Sequence, residues 1–292
     1  MLTNEQKNAL EFVLNGLMRR YRERVPDVEH IITEMLNKGV IDKEEDIIND
    51  HIAFRTLGVE NLGIQSLEKV FLAYGYTKRD RYYFSKKQVD ANWFSPPKDI
   101  PNLPRVFISE CRVSEFSEDT QDIIRKYSAH INSDPVDSLN LMNGEEVDTF
   151  LHTQLWTQPT WEDYSAVSSE SEYVSWVLNN RYYLNHFTVF INELNDGYDN
   201  IERYNEFLES VGIQLNDAGG KIKRSADGKL LQSSSVSNQI NVEFLREEGS
   251  AQEHLVPGSY VEFAQRIDGR DGFDLGNANK IFESTYSEQM DR

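Results

Sequence analysis

The sequence predicts an α+β fold in which paired βαβββ modules form a curled, barrel-like sheet, with additional N-terminal and mid-chain helices. Three observations predict this fold. A unit of strand, helix, glycine turn and further strands occurs twice; apolar residues recur at helical spacing outside both copies; and 39% hydrophobic with 27% charged residues is typical of a globular protein. The 292 residues are enough for one large domain, and we assign 1–292 to a single domain.

Segment 1–44 is predicted to form N-terminal helices. Apolar residues recur at helical spacing over residues 3–40, and Pro26 interrupts the pattern. The apolar positions on its two sides are Leu10, Val13, Leu14 and Leu17, then Ile31, Ile32, Met35 and Leu36. The first residues are amphipathic and have no signal-peptide core, so a cytoplasmic location is expected.

The first predicted module covers residues 45–116. It begins with NDHIAFRTL at 49–57, a strand-like alternation that opens with His51. A helix-compatible stretch, SLEKVFLAYGY, follows at 66–76, and then the strand-like RDRYYFS. SPPKDIPNLPR at 95–105 holds four of the eight prolines and is expected to be a loop or an extended crossing.

The second predicted module covers residues 184–268. It begins with LNHFTVFIN, which opens with His186 in the same way, and continues through the helix-compatible IERYNEFLESVGI. His51 and the helix-ending Gly75 are 24 residues apart, and His186 and Gly212 are 26 apart. This matched spacing favours an internal repeat over the alternative of chance similarity, and such units usually pair so that their sheets curl around a shared cleft.

A helical insertion is predicted over residues 117–183, between the modules. Ser117 is a candidate N-cap for a helix over 117–131, with acidic residues in its first turn. A C-terminal closing segment is predicted over 269–292, where RDGFDLGNANKIFEST favours an ordered loop and a short helix that lie over the cleft.

The two repeat histidines are the first candidate metal ligands. Alternate residues of a strand share a face, so each histidine points away from the apolar packing face and into the cleft. The two predicted cleft faces are His51, Ala53, Arg55 and Leu57, and His186, Thr188 and Phe190. Two imidazoles and one carboxylate, with positions left open, are typical of non-haem iron(II) oxygenases. The curled sheet is therefore predicted to surround a metal cleft.

Glu262 is the preferred carboxylate. The strand GSYVEFAQRI at 258–267 puts it among apolar strand formers, where an unpaired carboxylate is costly to bury and requires a cation. Glu243 is a rival, because INVEFL repeats the Val-Glu-Phe context. We prefer Glu262 because it lies on what should be the last strand of the second module.

Two arginines are the candidate substrate-binding residues. Arg55 shares a face with His51, about 13 Å away in a straight strand, and a guanidinium in a metal cleft suits a substrate carboxylate. Arg266 shares a face with Glu262. The alternative for Arg55 is a structural salt bridge to one of the many acidic residues.

Composition excludes several classes of function. The net charge of −19 argues against nucleic acid as a partner. Apolar runs stay well short of the roughly 20 residues that span a membrane, so no membrane partner is expected. The single cysteine, Cys111, excludes an intramolecular disulfide and any multi-cysteine metal site. The sequence has no Walker loop, Gly-x-Ser-x-Gly elbow or His-Glu-x-x-His motif.

Four motifs together resemble the 2-oxoadipate dioxygenase/decarboxylase (hydroxyglutarate synthase) family, formerly a domain of unknown function. They are NDHIAFRTL, LNHFTVFI, YVEFAQR and RDGFDLGNANKIFEST, in this order over about 45–285. The resemblance implies a vicinal-oxygen-chelate-like fold, Fe(II) ligation by His51, His186 and Glu262, and substrate-carboxylate binding by Arg55. It also implies conversion of 2-oxoadipate with O₂ to 2-hydroxyglutarate and CO₂, in lysine breakdown.

Other functions stay open on the same residues. The site also suits a glyoxalase-like lyase or isomerase, or a hydrolase, that uses Zn, Ni or Mn. A third hypothesis is a binding or structural protein without a metal. Well-described bacterial members of the family are longer than this chain, which leaves a different 2-oxo acid as substrate, or a loss of activity, open. The oligomeric state is not predicted.

Overall fold

An eight-stranded mixed sheet forms the centre of the molecule. The computed structural model describes residues 1–246 and 249–290, so residues 247–248 of the second module and 291–292 of the closing segment lie outside the described residues. The strands are β1 (Asn49–Leu57), β2 (Thr77–Phe84), β3 (Val89–Ser95), β4 (Arg105–Cys111), β5 (His186–Phe190), β6 (Lys223–Arg224), β7 (Leu230–Ser234), β8 (Gln239–Leu245), β9 (Ala251–Pro257) and β10 (Tyr260–Arg266).

Helices precede, interrupt and follow the two sets of strands. They are α1 (Asn4–Arg24), α2 (Pro26–Lys38), α3 (Gly63–Ala73), α4 (Glu118–Ser128), α5 (Gly144–His152), α6 (Trp161–Glu170), α7 (Glu172–Asn180), α8 (Ile201–Ser210), α9 (Leu275–Ile281) and α10 (Ser287–Met290). None of the described helices combines the length and the apolar character needed to cross a membrane.

The two modules join edge to edge in one curled sheet. Its strand order is β2-β3-β4-β1-β5-β10-β7-β6, and β8 and β9 form a separate two-stranded sheet. In the first module β4 runs parallel to β1, and in the second β10 runs parallel to β5. Antiparallel pairing of β1 with β5 joins the modules at their equivalent first strands. The predicted α+β fold with a curled, barrel-like sheet is confirmed.

The helix signals in the sequence correspond to the observed helix ends. Pro26 is the first residue of α2, where its missing N–H costs nothing. Ser117 accepts a hydrogen bond from the Thr120 backbone N–H and caps α4. Gly75 and Gly212 follow α3 and α8 with φ of 79° and 89°, a left-handed conformation that glycine adopts without strain. Gly75 and Gly212 therefore end equivalent helices in the two modules.

The convex face of the sheet is covered by α1, α3 and α8. Side chains of β1, β5 and β10 that alternate with the predicted cleft residues pack against these helices, in the ring pairs Phe54–Phe71, Tyr21–Phe187 and Tyr204–Phe263. The concave face is covered by α7 and by the C-terminal closing segment that contains α9. Both faces of the central strands are thus buried, and the concave face carries the polar side chains.

Candidate metal centre

The strand register brings the predicted cleft faces together on the concave side. Thr188 of β5 lies between His51 of β1 and Glu262 of β10, and these three residues form one row across the sheet. The next row is Ala53, His186 and Tyr260. Arg55 follows Ala53 by two residues on the same face of β1, and so lies one row further from His51.

His51, His186 and Glu262 converge on one point. Their ligand atoms all lie within 4.8 Å of one another, and all three residues are buried. Glu262 Oε2 is 3.1 Å from His186 Nε2, Glu262 Oε1 is 3.4 Å from His51 Nε2, and the two Nε2 atoms are 3.4 Å apart. Two imidazoles and a carboxylate at this spacing could hold a divalent metal ion.

The electrostatics of the group favour a charged Glu262. Burial by itself would raise the pKa of Glu262, but the adjacent His51 and His186 hold it well below its usual range. Burial lowers the pKa of His186. Burial also opposes protonation of His51, but Glu262 and Asp50 outweigh it and raise the pKa of His51. The carboxylate is therefore ready to bind a cation.

Asp50 orients His51 through a β-bulge. Between Asn49 and His51 strand β1 takes two steps while β5 takes one, so Asp50 is the extra residue of the bulge. Its carboxylate accepts a hydrogen bond from His51 Nδ1 at 2.8 Å. That bond leaves Nε2 of His51 on the side of Glu262, where it can bind a metal once it has lost its proton, and a carboxylate behind a histidine is a usual support for a metal ligand.

Asn185 has the corresponding position behind His186. Its Oδ1 lies 3.0 Å from His186 Nδ1, with the ring nitrogen as the donor when Nε2 binds a metal. Glu262 is also supported, since Gln232 Nε2 donates to Glu262 Oε1 at 2.5 Å. Asn277 of α9 donates in turn to Gln232 Oε1 at 3.0 Å. The closing segment is thereby connected to the carboxylate by two hydrogen bonds.

Glu243 lies away from this group. Strand β8 belongs to the separate hairpin rather than to the central sheet, and the Glu243 side chain is exposed. The Val-Glu-Phe context is shared, but only Glu262 lies on a strand that pairs with β5. The structure therefore brings the preferred carboxylate, and not its rival, to the two histidines.

Arg55 is fully buried and lines the same cavity. It donates to Thr285 Oγ1 at 2.9 Å and to the Phe282 carbonyl at 3.1 Å, both in the closing segment. Its guanidinium carbon lies 5.2–5.3 Å from the ring centroids of Tyr173, Trp176 and Phe282. No carboxylate among the described residues forms a salt bridge with Arg55. The alternative role, a structural salt bridge to an acidic residue, is therefore not seen for it there.

Arg266 is engaged with protein groups instead of facing the cavity. Its guanidinium forms two hydrogen bonds with the Asp50 carboxylate and donates to the carbonyls of Arg270 and Gly272. Burial by itself would raise the pKa of Asp50, but Arg266 and His51 hold it far below its usual range. The geometry thus gives Arg266 a role behind His51 rather than in direct contact with a ligand in the cavity.

The cavity beside the three ligands is mostly apolar. It comprises about 370 Å³ of empty space, including the space at its opening. The closing segment supplies Phe273, Ala278, Ile281 and Phe282 to its wall. The Phe273 ring lies edge-on to His51 at 4.7 Å, which excludes water from one side of that imidazole.

The sequence pattern that defines the 2-oxoadipate dioxygenase/decarboxylase family matches residues 13–269. The chain belongs to this family. The Arabidopsis thaliana protein named 2-oxoadipate dioxygenase/decarboxylase, chloroplastic, is 38% identical to it over 96% of this chain and 78% of the relative.

Two solved structures resemble this member of the family. The hydroxyglutarate synthase of Oryza sativa, solved in complex with 2-oxoadipate, is 34% identical, with a TM-score of 0.87 over 100% of this chain and 96% of the other. A glyoxalase-superfamily protein of Ralstonia eutropha is 20% identical, with a TM-score of 0.73 over 89% and 84%. The second likeness indicates a shared fold alone.

The supporting roles of two residues were not predicted from the sequence. Asp50 and Asn185 each come directly before a repeat histidine and accept its Nδ1 hydrogen bond. The signal was present, because an Asp or Asn precedes the histidine in both NDH and LNH. Strict alternation directs the residue before each histidine to the opposite face, and for that reason neither was considered.

Proposed function

We propose that this protein is a non-haem iron(II)-dependent dioxygenase/decarboxylase. It converts a 2-oxo dicarboxylic acid of the 2-oxoadipate type, with O₂, to a 2-hydroxy acid and CO₂. For 2-oxoadipate the atoms balance: C₆H₈O₅ and O₂ become C₅H₈O₅, a 2-hydroxyglutaric acid, and CO₂. The substrate class follows the rice relative, whose structure contains 2-oxoadipate.

One observation carries the proposal. The same cavity that contains three converged ligands at one end is lined by Arg55, two rows further along β1. The offset of four strand residues is about 13 Å. A 2-oxo diacid needs a cation for each end, and a metal at one end and a buried guanidinium at the other provide them.

His51, His186 and Glu262 would hold the metal, which supplies the activation of O₂ and of the 2-oxo acid when bound. Asp50 and Asn185 keep the protons of the two imidazoles on Nδ1, so that both Nε2 atoms stay free to bind. Arg55 binds the distal carboxylate, and the aromatic rings around its guanidinium hold it in the cavity.

The closing segment keeps the reaction dry. Phe273 and Phe282 are buried at 6% exposure each and cover the ligand end and the arginine end of the cavity. Water exclusion strengthens the attraction between Arg55 and a carboxylate, and protects reactive species from side reactions. None of these steps requires a general base from the protein.

The expected partners are a small 2-oxo acid and O₂. The sequence-based expectation of a cytoplasmic location stays a prediction, and the Arabidopsis relative is named as chloroplastic. If the same three ligands hold Zn, Ni or Mn, the alternative function is that of a lyase, an isomerase or a hydrolase. Such an enzyme needs no O₂.

The test is O₂ uptake by anaerobically iron-loaded protein given 2-oxoadipate, with CO₂ release measured in parallel. His186→Ala and Glu262→Gln remove one ligand each and should abolish both signals. Glu243→Gln is the matched control, because this glutamate has the same Val-Glu-Phe context on an exposed hairpin and should keep full activity. Equal uptake and release in the wild type supports the oxygenase.

Two results would overturn the proposal. Stoichiometric metal without O₂ uptake on a panel of 2-oxo acids would move the function to the lyase or hydrolase class. Equal loss of activity in Glu243→Gln and Glu262→Gln would remove the ligand assignment.

A further inference from the structure

Three buried polar groups of residues that line the cavity have no hydrogen-bond partner among the described residues. They are the hydroxyl of Tyr260, Nε of Arg55 and Nδ2 of Asn185. Tyr260 is fully buried, and all three residues line the cavity that contains the metal ligands. Native proteins rarely leave a buried polar group without a partner, and such a group facing a ligand cavity indicates a ligand that completes its bonding.

The register puts Tyr260 next to the metal centre, on the side of Arg55. Tyr260 is the β10 partner of His186, and its ring centroid is 4.8 Å from that of His186. Its row, Ala53-His186-Tyr260, lies between the row of His51 and the position of Arg55. The Tyr260 side chain is therefore close to Glu262 at the metal end and to Arg55 at the other end.

The Tyr260 hydroxyl can donate a hydrogen bond to an anion in the cavity, and the Arg55 guanidinium is close enough to interact with this hydroxyl. The two side chains are neighbours, but Tyr260 Oη and Arg55 Nε are each left without a hydrogen bond of ordinary distance and angle. An anion between them can therefore accept from the hydroxyl and from Arg55 together.

Apart from its neighbour Arg55, the hydroxyl has no polar partner near it among the described residues, and it forms no hydrogen bond of ordinary geometry. The link from Tyr21 to this residue uses the Tyr260 carbonyl, and the strand pairing uses its backbone. Loss of the hydroxyl therefore removes no hydrogen bond within the described protein. Among the buried tyrosines whose hydroxyl has no hydrogen-bond partner, Tyr260 lines the cavity, whereas Tyr74 and Tyr182 do not.

We propose that Tyr260 is a substrate-binding residue whose hydroxyl donates to the distal carboxylate of the 2-oxo diacid beside Arg55. The second module thus contributes Tyr260 and the first contributes Arg55 to one carboxylate site. This site selects dicarboxylic over monocarboxylic 2-oxo acids. The inference rests on the proposed function, since it assumes a diacid in the same cavity.

The test compares anaerobic binding of 2-oxoadipate and 2-oxohexanoate by calorimetry, using metal-loaded protein. The two ligands have the same chain length and differ in the distal carboxylate. Tyr260→Phe should weaken 2-oxoadipate binding by about 10- to 100-fold, the effect of one hydrogen bond to a charged group. It should leave 2-oxohexanoate binding and the melting temperature unchanged.

Tyr182→Phe is the matched control. Tyr182 is also buried with an unpartnered hydroxyl, but it does not line the cavity. This variant should bind both ligands as the wild type does. Equal weakening of both ligands by Tyr260→Phe, or a lowered melting temperature, would overturn the inference and indicate a role in packing against His186.

The outcomes separate this inference from the proposed function. If the wild type does not prefer 2-oxoadipate to 2-oxohexanoate, the diacid reaction itself is wrong. If the wild type prefers 2-oxoadipate and Tyr260→Phe keeps the full preference, the reaction stands and the role of Tyr260 is wrong.

Discussion

Arg266 and Asp50 form a buried bidentate ion pair directly behind His51. Arg266 Nε donates to Asp50 Oδ1 at 2.6 Å, and Nη2 donates to Oδ2 at 2.8 Å. The same Oδ2 accepts from His51 Nδ1 at 2.8 Å. Arg266 belongs to the last strand of the second module and Asp50 to the first strand of the first. The orientation of one candidate metal ligand therefore depends on a contact between the modules.

Arg266→Leu is expected to lower the free energy of unfolding by about 3 kcal/mol. The change leaves Asp50 as a buried charge without its main cation, and about 3–5 kcal/mol is usual for a broken buried pair. The lower end applies because Arg105 Nη1 still lies 3.2 Å from Asp50 Oδ1. Chemical denaturation measures the difference.

Arg224→Leu is the control for that measurement. The pair of Arg224 with Glu202 is solvent-exposed, with both side chains about half accessible, so its loss should cost less than about 1 kcal/mol. If the two variants lose equal stability, the buried pair has no special importance.

Asn185→Ala is expected to weaken metal binding by about 10- to 100-fold. The variant removes the acceptor of His186 Nδ1, so the imidazole loses both its orientation and its fixed tautomer. Competition with a chromophoric chelator measures the affinity. Asn185→Asp keeps an acceptor oxygen at the same position and should retain most of the affinity. Unchanged affinity in Asn185→Ala would contradict a supporting role.

Much of the fold could be predicted because the repeat is local in sequence. His51 and His186 open equivalent strands, and Gly75 and Gly212 end equivalent helices, so spacing alone indicates two βαβββ units. The pairing of β1 with β5 could not be predicted, because it joins segments about 135 residues apart and depends on long-range packing.

The site residues could be predicted where side chains alternate regularly between the two faces of a strand. They were missed where that alternation is interrupted. The rows of His51 and His186 follow the two-residue period of a strand. The bulge at Asp50 breaks that period, and it gives Arg266 a partner that a straight strand would direct to the other face. Alternation along β10 predicts that Arg266 binds substrate, whereas in the structure its guanidinium binds Asp50.

Divalent metal is expected to raise the melting temperature of the wild type. A ligand that binds only the folded state stabilises it by about 4 kcal/mol at a concentration 1,000 times its Kd. The effect should vanish in Glu262→Gln, where an amide replaces the charged ligand, and persist in Glu243→Gln. Differential scanning fluorimetry with and without a chelator measures the shifts. A metal-induced shift of the same size in Glu262→Gln would count against the three-residue site.

Lys223 is expected to make stability rise with pH above about 8. Burial lowers the pKa of this lysine to about 8 in the folded protein, below the 10.5 of an exposed lysine. Below pH 8 Lys223 is protonated in both the folded and the unfolded state, and the folded state bears the full cost of burying the charged ammonium. Between about pH 8 and 10.5 only the unfolded state keeps the proton, so this cost is lost as the pH rises. This pKa shift corresponds to at most about 3 kcal/mol of folding stability.

Lys223→Met should therefore be more stable than the wild type at pH 7, although the Asn216 carbonyl loses its hydrogen bond from Nζ. This advantage in stability should shrink toward pH 10.5. Urea unfolding of both proteins across this range tests it, and a difference that does not change with pH would contradict the buried-charge explanation.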